Sequence, residues 1–313
     1  MATAPSVISI GSINLDFQAR ADSWPEQSET LLAHDFLCAG GGKAANVAFS
    51  VARLGLPAVA VGRVGADAFA EMSLQPLRAA GVDVSHVRGV SGQATGVSLI
   101  VVRDDGDKTI VLVPNANLCW EPDAASSVEA LIARAARGSV VCVDLEVPQP
   151  IALAALRAAR EHGLCGVLDP SPGDAVNDEL LALSDYVVPN QRETQRLTEV
   201  SVRDADDARR AGQRLLERGA QSACVKLPGG GAVLVQRSGC ESVHAPKLKV
   251  VDKTGAGDGF AAGLCAALCQ GQSARAALRQ AVAVSSFAVT RYGSQAAYPT
   301  RSELDALLAE APA

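Results

Sequence analysis

Val250-Val251-Asp252-Lys253-Thr254-Gly255-Ala256-Gly257-Asp258-Gly259-Phe260 is the most informative stretch of this 313-residue chain. Its β-branched start reads as a strand-like run, the small residues at 255–257 as a tight turn, and the Ala/Leu-rich continuation to Cys269 as a helix. With little side chain in the way, successive backbone N–H groups can converge on one anion. The helix that starts there adds the positive end of its dipole, so a phosphoryl group is favoured at this point. Asp258, in the first helical turn, stands beside that anion, where a carboxylate can orient and deprotonate an attacking hydroxyl. Capping of the helix is the alternative role for the same side chain.

Outward from this stretch the chain alternates short β-branched runs with Ala/Leu-rich helical segments. The runs include Val59-Ala60-Val61, Val140-Val141-Cys142-Val143, Gly166-Val167-Leu168, Tyr186-Val187-Val188 and Ala223-Cys224-Val225. Helices are predicted around Asp67–Ala80, Pro122–Ala136, Pro148–Glu161, Asp204–Arg218 and Gly257–Cys269. This rhythm predicts an α/β fold with a mostly parallel central sheet and helices on both faces, whose ligands collect beyond the carboxyl ends of the strands. Two segments break the rhythm. Phe17–Ala39 has few helix signals, and Thr95–Val113 reads as a hairpin turning at Asp104-Asp105-Gly106-Asp107. They form either a small second sheet, acting as a lid, or an antiparallel extension of the main sheet.

Composition removes several classes of function. Hydrophobic residues make up 48% and charged residues 20% of the chain, as in an ordinary globular protein. The net charge of −6 and scattered basic residues leave no footprint for nucleic acid or an anionic membrane. No apolar stretch reaches the roughly 20 residues of a membrane span, and the N-terminus lacks a signal-peptide pattern, so a cytoplasmic protein is expected. The eight cysteines show no C-x-x-C pair, and only four His are present, which leaves little for a zinc centre or a Ser/His hydrolase.

On the 252–260 stretch the chain resembles the ribokinase-like, or PfkB, family of carbohydrate kinases, whose second signature is D-T-x-G-A-G-D-x-F-like. Ala39-Gly40-Gly41-Gly42-Lys43-Ala44-Ala45-Asn46 is similar to the family's first signature, in the G-G-K-x-A-N form of its ribokinase branch. It is not a Walker A loop, since residue 37 is Leu and Lys43 is followed by Ala. A G-x-G-x-x-G dinucleotide fingerprint is also missing. Gly11-Ser12-Ile13-Asn14-Leu15-Asp16 resembles the branch's G-S-I-N-x-D opening, and Leu145-Glu146-Val147-Pro148 its L-E-x-P segment. The resemblance runs over essentially the whole chain. It implies a single kinase domain, 1–313, with a β-lid near 17–39 and 95–113. It also implies that Asn14, Asp16, Gly42, Lys43, Asn46 and Glu146 hold a sugar, while Asp258 and the turn Gly255-Ala256-Gly257 carry the chemistry. Read locally, Asn14 is also an ordinary turn residue after a strand, and Glu146 a first-turn acid.

The same resemblance implies ATP, Mg²⁺ and K⁺. Asn190 and Glu193 match an N-x-x-E motif that acts on Mg²⁺ through water; as local sequence they equally suit a capping box. Asn190, Lys226, Gly229, Gly231 and Gly257 fall at nucleotide-binding positions. Asp252, Thr254, Ala288, Arg291 and Gly293 fall at positions that bind a monovalent cation. Three departures stand out: Lys253 for the usual Thr or Ser, Pro228 in the nucleotide loop where Gly is usual, and Ala297 near the cation loop. The implied reaction is ATP-dependent phosphorylation of a sugar's primary hydroxyl, with D-ribose the leading acceptor and a homodimer formed through the lid. Competing acceptors are a nucleoside, fructose or a keto-deoxy sugar acid; a non-catalytic sugar-binding regulator is the alternative from another class. A nucleoside would need an aromatic slot, for which Phe17, Trp24 and Phe36 are the lid candidates. A phosphorylated acceptor would need basic residues, for which Arg20, Arg88, Arg103 and Lys108 are available.

Overall fold

The computed structural model describes residues 4–25, 27 and 30–310. In chain order it begins β1 (Val7–Ile10), β2 (Asn14–Ala21), β3 (Asp35–Gly41), helix α1 (Lys43–Arg53), β4 (Ala58–Gly65), α2 (Ala68–Ala79) and β5 (Asp83–Val90). There follow β6 (Gly96–Arg103), β7 (Lys108–Val113), α3 (Ala124–Ala133), β8 (Val140–Val143), α4 (Gln149–Glu161), β9 (Cys165–Leu168), α5 (Asp178–Leu183) and β10 (Tyr186–Val187). The last third comprises α6 (Gln191–Thr198), α7 (Ala205–Glu217), β11 (Ser222–Lys226), β12 (Gly231–Gln236), β13 (Gly239–His244), α8 (Ala256–Cys269), α9 (Ala274–Ala288) and α10 (Arg301–Glu310).

Nine strands form the large sheet in the order β13-β12-β11-β10-β9-β8-β1-β4-β5. All pairings are parallel except β11–β12 and β12–β13 at one edge. The short runs form its centre because they are apolar on both faces: Val140 and Cys142 pack into one core, Val141 and Val143 into the other. The first core holds α1, α8 and α9, the second α4 and α7. Neighbouring β1 on either side are β4 and β8, with Ile10 opposite both Val61 and Val143. The chain order therefore reverses at β1, and its carboxyl end opens onto the crevice where ligands settle in such sheets.

The two segments that break the α/β rhythm build a separate sheet, β3-β2-β6-β7, rather than an extension of the large one. Its rows are set by register. Asp16 faces Ser98 and Ser98 faces Leu112; Gln18 faces Ile100 and Ile100 faces Ile110; Val102 faces Lys108. Alternation sends these rows to one side, and Phe17, Phe36, Leu99, Val111 and Val113 to the other.

One expectation is corrected. No strand precedes the 255–258 turn, because the amides of Val251 and Asp252 both donate to Val289 O, at 2.8 and 3.3 Å, just beyond α9. The apolar run at 250–251 is thus tied to a helix end instead of a sheet. The antiparallel β12–β13 hairpin was hidden for the opposite reason: its outer strand is exposed at five of six positions and lacks a buried periodicity. Among the described residues no helix is long and apolar enough to cross a membrane.

Candidate active site

The link Gly11–Ile13 leaves β1, passes over the start of α1 and enters the small sheet as β2. Lys43 N donates to Ser12 Oγ at 2.9 Å, so the link caps that helix from outside. Gly42, with φ 90°, permits this approach; a Cβ there would lie 2.5 Å from Ser12 O. Asp144, directly after β8, fastens the other side by accepting from Ser12 N at 3.1 Å and Glu146 N at 2.9 Å.

Beyond the strand ends lies a cavity of about 950 Å³ bounded by both sheets and the start of α8. Its lining brings together Asn14, Asp16, Gly42, Lys43, Asn46 and Glu146 at one end, with Gly255, Ala256, Gly257 and Asp258. The other end carries Asn190, Glu193, Lys226, Gly229 and Gly231. Pro228 also lines this end, within a loop whose three glycines 229–231 all adopt positive φ.

Asp258 is 7% exposed and accepts a 2.8 Å hydrogen bond at Oδ2 from Asn46 Nδ2, while Lys43 Nζ stands 3.8 Å from Oδ1. It lies inside the first turn of α8, and the N-cap is Gly255, so capping is not its task. Gly255 has φ 72°, and a Cβ there would meet Tyr298 Oη at 2.5 Å. That hydroxyl, fully buried, donates to Gly255 O at 2.9 Å and holds the turn.

The end of the cavity that holds Asn14 and Asp16 is crowded with carboxylates. Burial raises the Asp16 carboxyl to about 6, the hydrogen bond from Ser98 opposing and Asp258 adding to the rise. Asp16 Oδ1 and Asn46 Oδ1 are buried without a partner, which suits a ligand rich in hydroxyl groups. Burial also pushes up Glu146 and Asp144, which repel one another. Burial alone would pull the Lys43 ammonium down, but Asp169, Asp258, Glu146 and Glu193 hold it well above the ordinary lysine range.

Asn190 and Glu193 form a full capping box: Glu193 N donates to Asn190 Oδ1 at 3.0 Å and Asn190 N to Glu193 Oε2 at 2.8 Å. Burial raises the Glu193 carboxyl, and Asp169, which shares this wall, raises it further; two neighbouring acids are a donor set that suits a divalent cation. Asp252, Ala288, Arg291 and Gly293 lie behind the lining rather than in it, whereas Thr254 belongs to the wall. Asp252 is fully buried and, among the described residues, accepts only from neutral donors: Gln18 Nε2 at 2.6 Å, Gly293 N at 2.9 Å and Thr254 N at 2.8 Å. A buried carboxylate without a cationic partner fits a monovalent cation at this corner.

Several site residues escaped the sequence reading. Asn117, in a short 3₁₀ turn, fixes Asn14 by donating to its Oδ1 at 2.7 Å and receives Ile13 N at 3.0 Å; nothing in local sequence marks it. Asp169 pairs with Lys43 at 3.5 Å and directly follows β9, a strand-end acid that topology could have flagged. Lys253 belongs to the cavity wall, but a carboxylate of the small sheet's turn engages its ammonium there. Its ammonium pairs with Asp107 at 2.5 Å and its amide donates to Gly106 O at 3.2 Å, joining the β6–β7 turn to the anion turn. Trp24, Phe17 and Phe36 do not line the cavity; the two Phe rings stack with centroids 6.3 Å apart on the other face of the small sheet.

Residues 4–301 match the pfkB family carbohydrate kinase profile. The ribokinase of Haemophilus influenzae is 30% identical over 294 residues, 94% of this chain and 95% of that protein. The ribokinase of Mus musculus is 30% identical over 306 residues, covering 96% of this chain and 94% of its own length. A solved ribokinase of Arabidopsis thaliana, complexed with ribose and ATP, is similar at a TM-score of 0.89 and 30% identity, over 99% of this chain and all of that one (100%).

Proposed function

Since the chain belongs to the pfkB family of carbohydrate kinases, we propose that it transfers the γ-phosphoryl group of ATP to the primary hydroxyl of D-ribose, giving ribose 5-phosphate, with Asp258 as the general base. The observation that carries this is the junction at Asp258. One carboxylate, oriented by Asn46 and faced by Lys43, stands at a helix start between a hydroxyl-binding end and a glycine-rich loop.

Asn14, Asp16 and Glu146, with Gly42, Lys43 and Asn46, hold the acceptor so that its primary hydroxyl meets Asp258. The backbone amides of 255–258 bear the charge of the moving phosphoryl. Asn190, Lys226, Gly229, Gly231 and Gly257 receive ATP. Asn190 and Glu193 would hold Mg²⁺ through water, and the ion would supply positive charge against the phosphates. Asp252 and the carbonyls of Thr254, Ala288, Arg291 and Gly293 would hold K⁺, whose charge would steady the turn from behind. Within this single kinase domain the small sheet serves as a lid that excludes water, the competing acceptor. Its outer face exposes Phe36 (63%), Leu99 (49%) and Val111 (58%), which supports a homodimer formed lid to lid. Eight free thiols suit a reducing compartment, and the cytoplasm is part of the proposal.

The test is ADP release with ribose, deoxyribose, fructose, nucleosides and 2-keto-3-deoxygluconate. Ribose is expected to give the highest kcat/KM, and Asp258→Asn to lose about 10²–10⁴-fold in kcat with ribose and ATP still bound. A wild type in which no sugar stimulates ADP release ends the kinase reading; a mutant as active as wild type ends the role of Asp258.

A further inference from the structure

Asn117 is fully buried and lies behind the cavity wall, yet it touches Asn14, which belongs to that wall. A primary amide has one end that donates and one that accepts, nearly identical in shape, so only a partner of fixed sense decides which end is presented. The backbone supplies that partner here. Ile13 N can only donate, and it meets Asn117 Oδ1 at 3.0 Å. Asn117 therefore turns its Nδ2 to Asn14 and donates to Oδ1 at 2.7 Å. With its oxygen taken, Asn14 directs Nδ2 along the small sheet, where one proton goes to Ser98 Oγ at 3.4 Å. The Ser98 hydroxyl, an acceptor in that contact, gives its own proton to Asp16. This chain of contacts is anchored at its base. Trp120 Nε1 donates to Asn117 O at 2.8 Å, and Arg63 Cζ stands 3.9 Å from the centroid of the Trp120 ring. Gly96 lets the two amides meet, since a Cβ there would lie 2.2 Å from Asn14 Oδ1 and 2.4 Å from Asn117 Nδ2.

The sense of this chain fixes what the wall offers a ligand. Asn14 keeps one N–H unspent, since a primary amide carries two and Ser98 takes one. Asp16 Oδ1, beside the same Ser98, is a buried acceptor without a partner. A hydroxyl between them accepts from the first and donates to the second, using both of its capacities. An ether oxygen, which only accepts, or an ammonium, which only donates, would leave one wall group unpaired. We propose that Asn117 is a positioning residue that sets the hydrogen-bonding sense of Asn14 and so makes this part of the wall select a hydroxyl group of the acceptor. This deepens the sugar-kinase reading and rests on it. The selection originates in a backbone amide, that of Ile13, at the point where the chain passes from the large sheet into the small one.

Asn117→Asp keeps the size of the side chain and still accepts from Ile13 N, but it cannot donate, so the Asn14 amide turns over and shows its oxygen to the cavity. Gly96→Ala severs the same contact from the strand side with both amides intact. Calorimetric binding to the full chain, with folding checked by thermal melting, compares ribose, 2-deoxyribose and 3-deoxyribose. Each variant is expected to bind ribose about 10–100-fold more weakly, and a non-hydrolysable ATP analogue within about 2-fold of wild type. One of the two deoxyriboses, lacking the hydroxyl that Asn14 meets, is expected to bind variants and wild type alike within about 3-fold, because it has no group there to mismatch. Equal losses for all three sugars would reduce Asn117 to a packing role and overturn the proposal. So would a ribose affinity in Asn117→Asp within about 3-fold of wild type. A measurement on the wild type needs neither variant to fold. The side-chain amide signals of Asn14 in the proton–nitrogen NMR spectrum, assigned by their loss in Asn14→Ser, are expected to move when ribose saturates the protein, and unmoved signals overturn the assignment. A wild type that binds no ribose, or in which no sugar stimulates ADP release, instead ends the sugar-kinase reading, so the two failures are distinct.

Discussion

Replacing Asp16 by Asn will make the ligand-free protein more stable above neutral pH while abolishing sugar binding. Burial, opposed by the Ser98 hydrogen bond and reinforced by Asp258, lifts this carboxyl from 3.8 to about 6. A rise of about 2 pH units corresponds to about 3 kcal/mol of unfavourable ionisation in the folded state. The sign follows from the folded value lying above the unfolded one: the contribution to stability is complete below about pH 4 and is lost as pH climbs through about 6. Asn never ionises, so its advantage over Asp grows across that window. Part of the gain is offset because Asp16 Oδ1 already lacks a partner, and an unpaired amide there costs about 1 kcal/mol. The net expectation is about 1–2 kcal/mol at about pH 8, or a few degrees in Tm, shrinking to nothing or reversing near about pH 5. Calorimetric melting of both proteins across this range, without ligand, measures it. Parallel Tm–pH curves would refute the burial argument, and a mutant that still bound ribose at wild-type affinity would refute the assignment of Asp16 to the acceptor.

Asn46→Ala removes the donor that orients Asp258. A kcat loss of about 100-fold is expected, and kinetics of Asn46→Ala combined with Asp258→Asn should show no further loss beyond the more damaging single change, since the two act as one unit. The Lys253–Asp107 pair is about half exposed on both sides. A double-mutant cycle on it should give a coupling below about 1 kcal/mol that fades in high salt, with little change in kcat.

The alternating runs and helices gave the large sheet, and the polar turn at 104–107 gave the β6–β7 hairpin, because both signals are local. Whether that hairpin joined the main sheet was decided by parallel pairing of β2 with β6, a contact between residues about 80 positions apart that no local pattern encodes. At the site, residues at strand ends or helix starts were legible: Asn14, Lys43, Glu146, Asn190 and Asp258 occupy such places. Asn117 was not legible as the residue that fixes Asn14, since that contact exists only once the small sheet is in place. The run at 250–251 misled because β-branched residues signal only an extended backbone; the partner that takes its amides, Val289, is set by tertiary packing.

The alternation of β2 has a consequence for how this acceptor site can change over generations. Asn14, Asp16 and Gln18 reach the ligand side, while Leu15, Phe17 and Ala19 point the other way. A one-residue insertion or deletion in the three-residue link Gly11–Ile13 would trade the two sets, presenting a greasy surface to the sugar and turning two amides and an acid to the outer face. A two-residue change would restore the facing but slide every row by about 6.6 Å, detaching Gln18 from Asp252. Drift in this link is therefore confined to substitution. A length change in the stretch between β2 and β3 would leave the facing of β2 as it is, so descendants of this chain should differ in length there sooner than before Asn14.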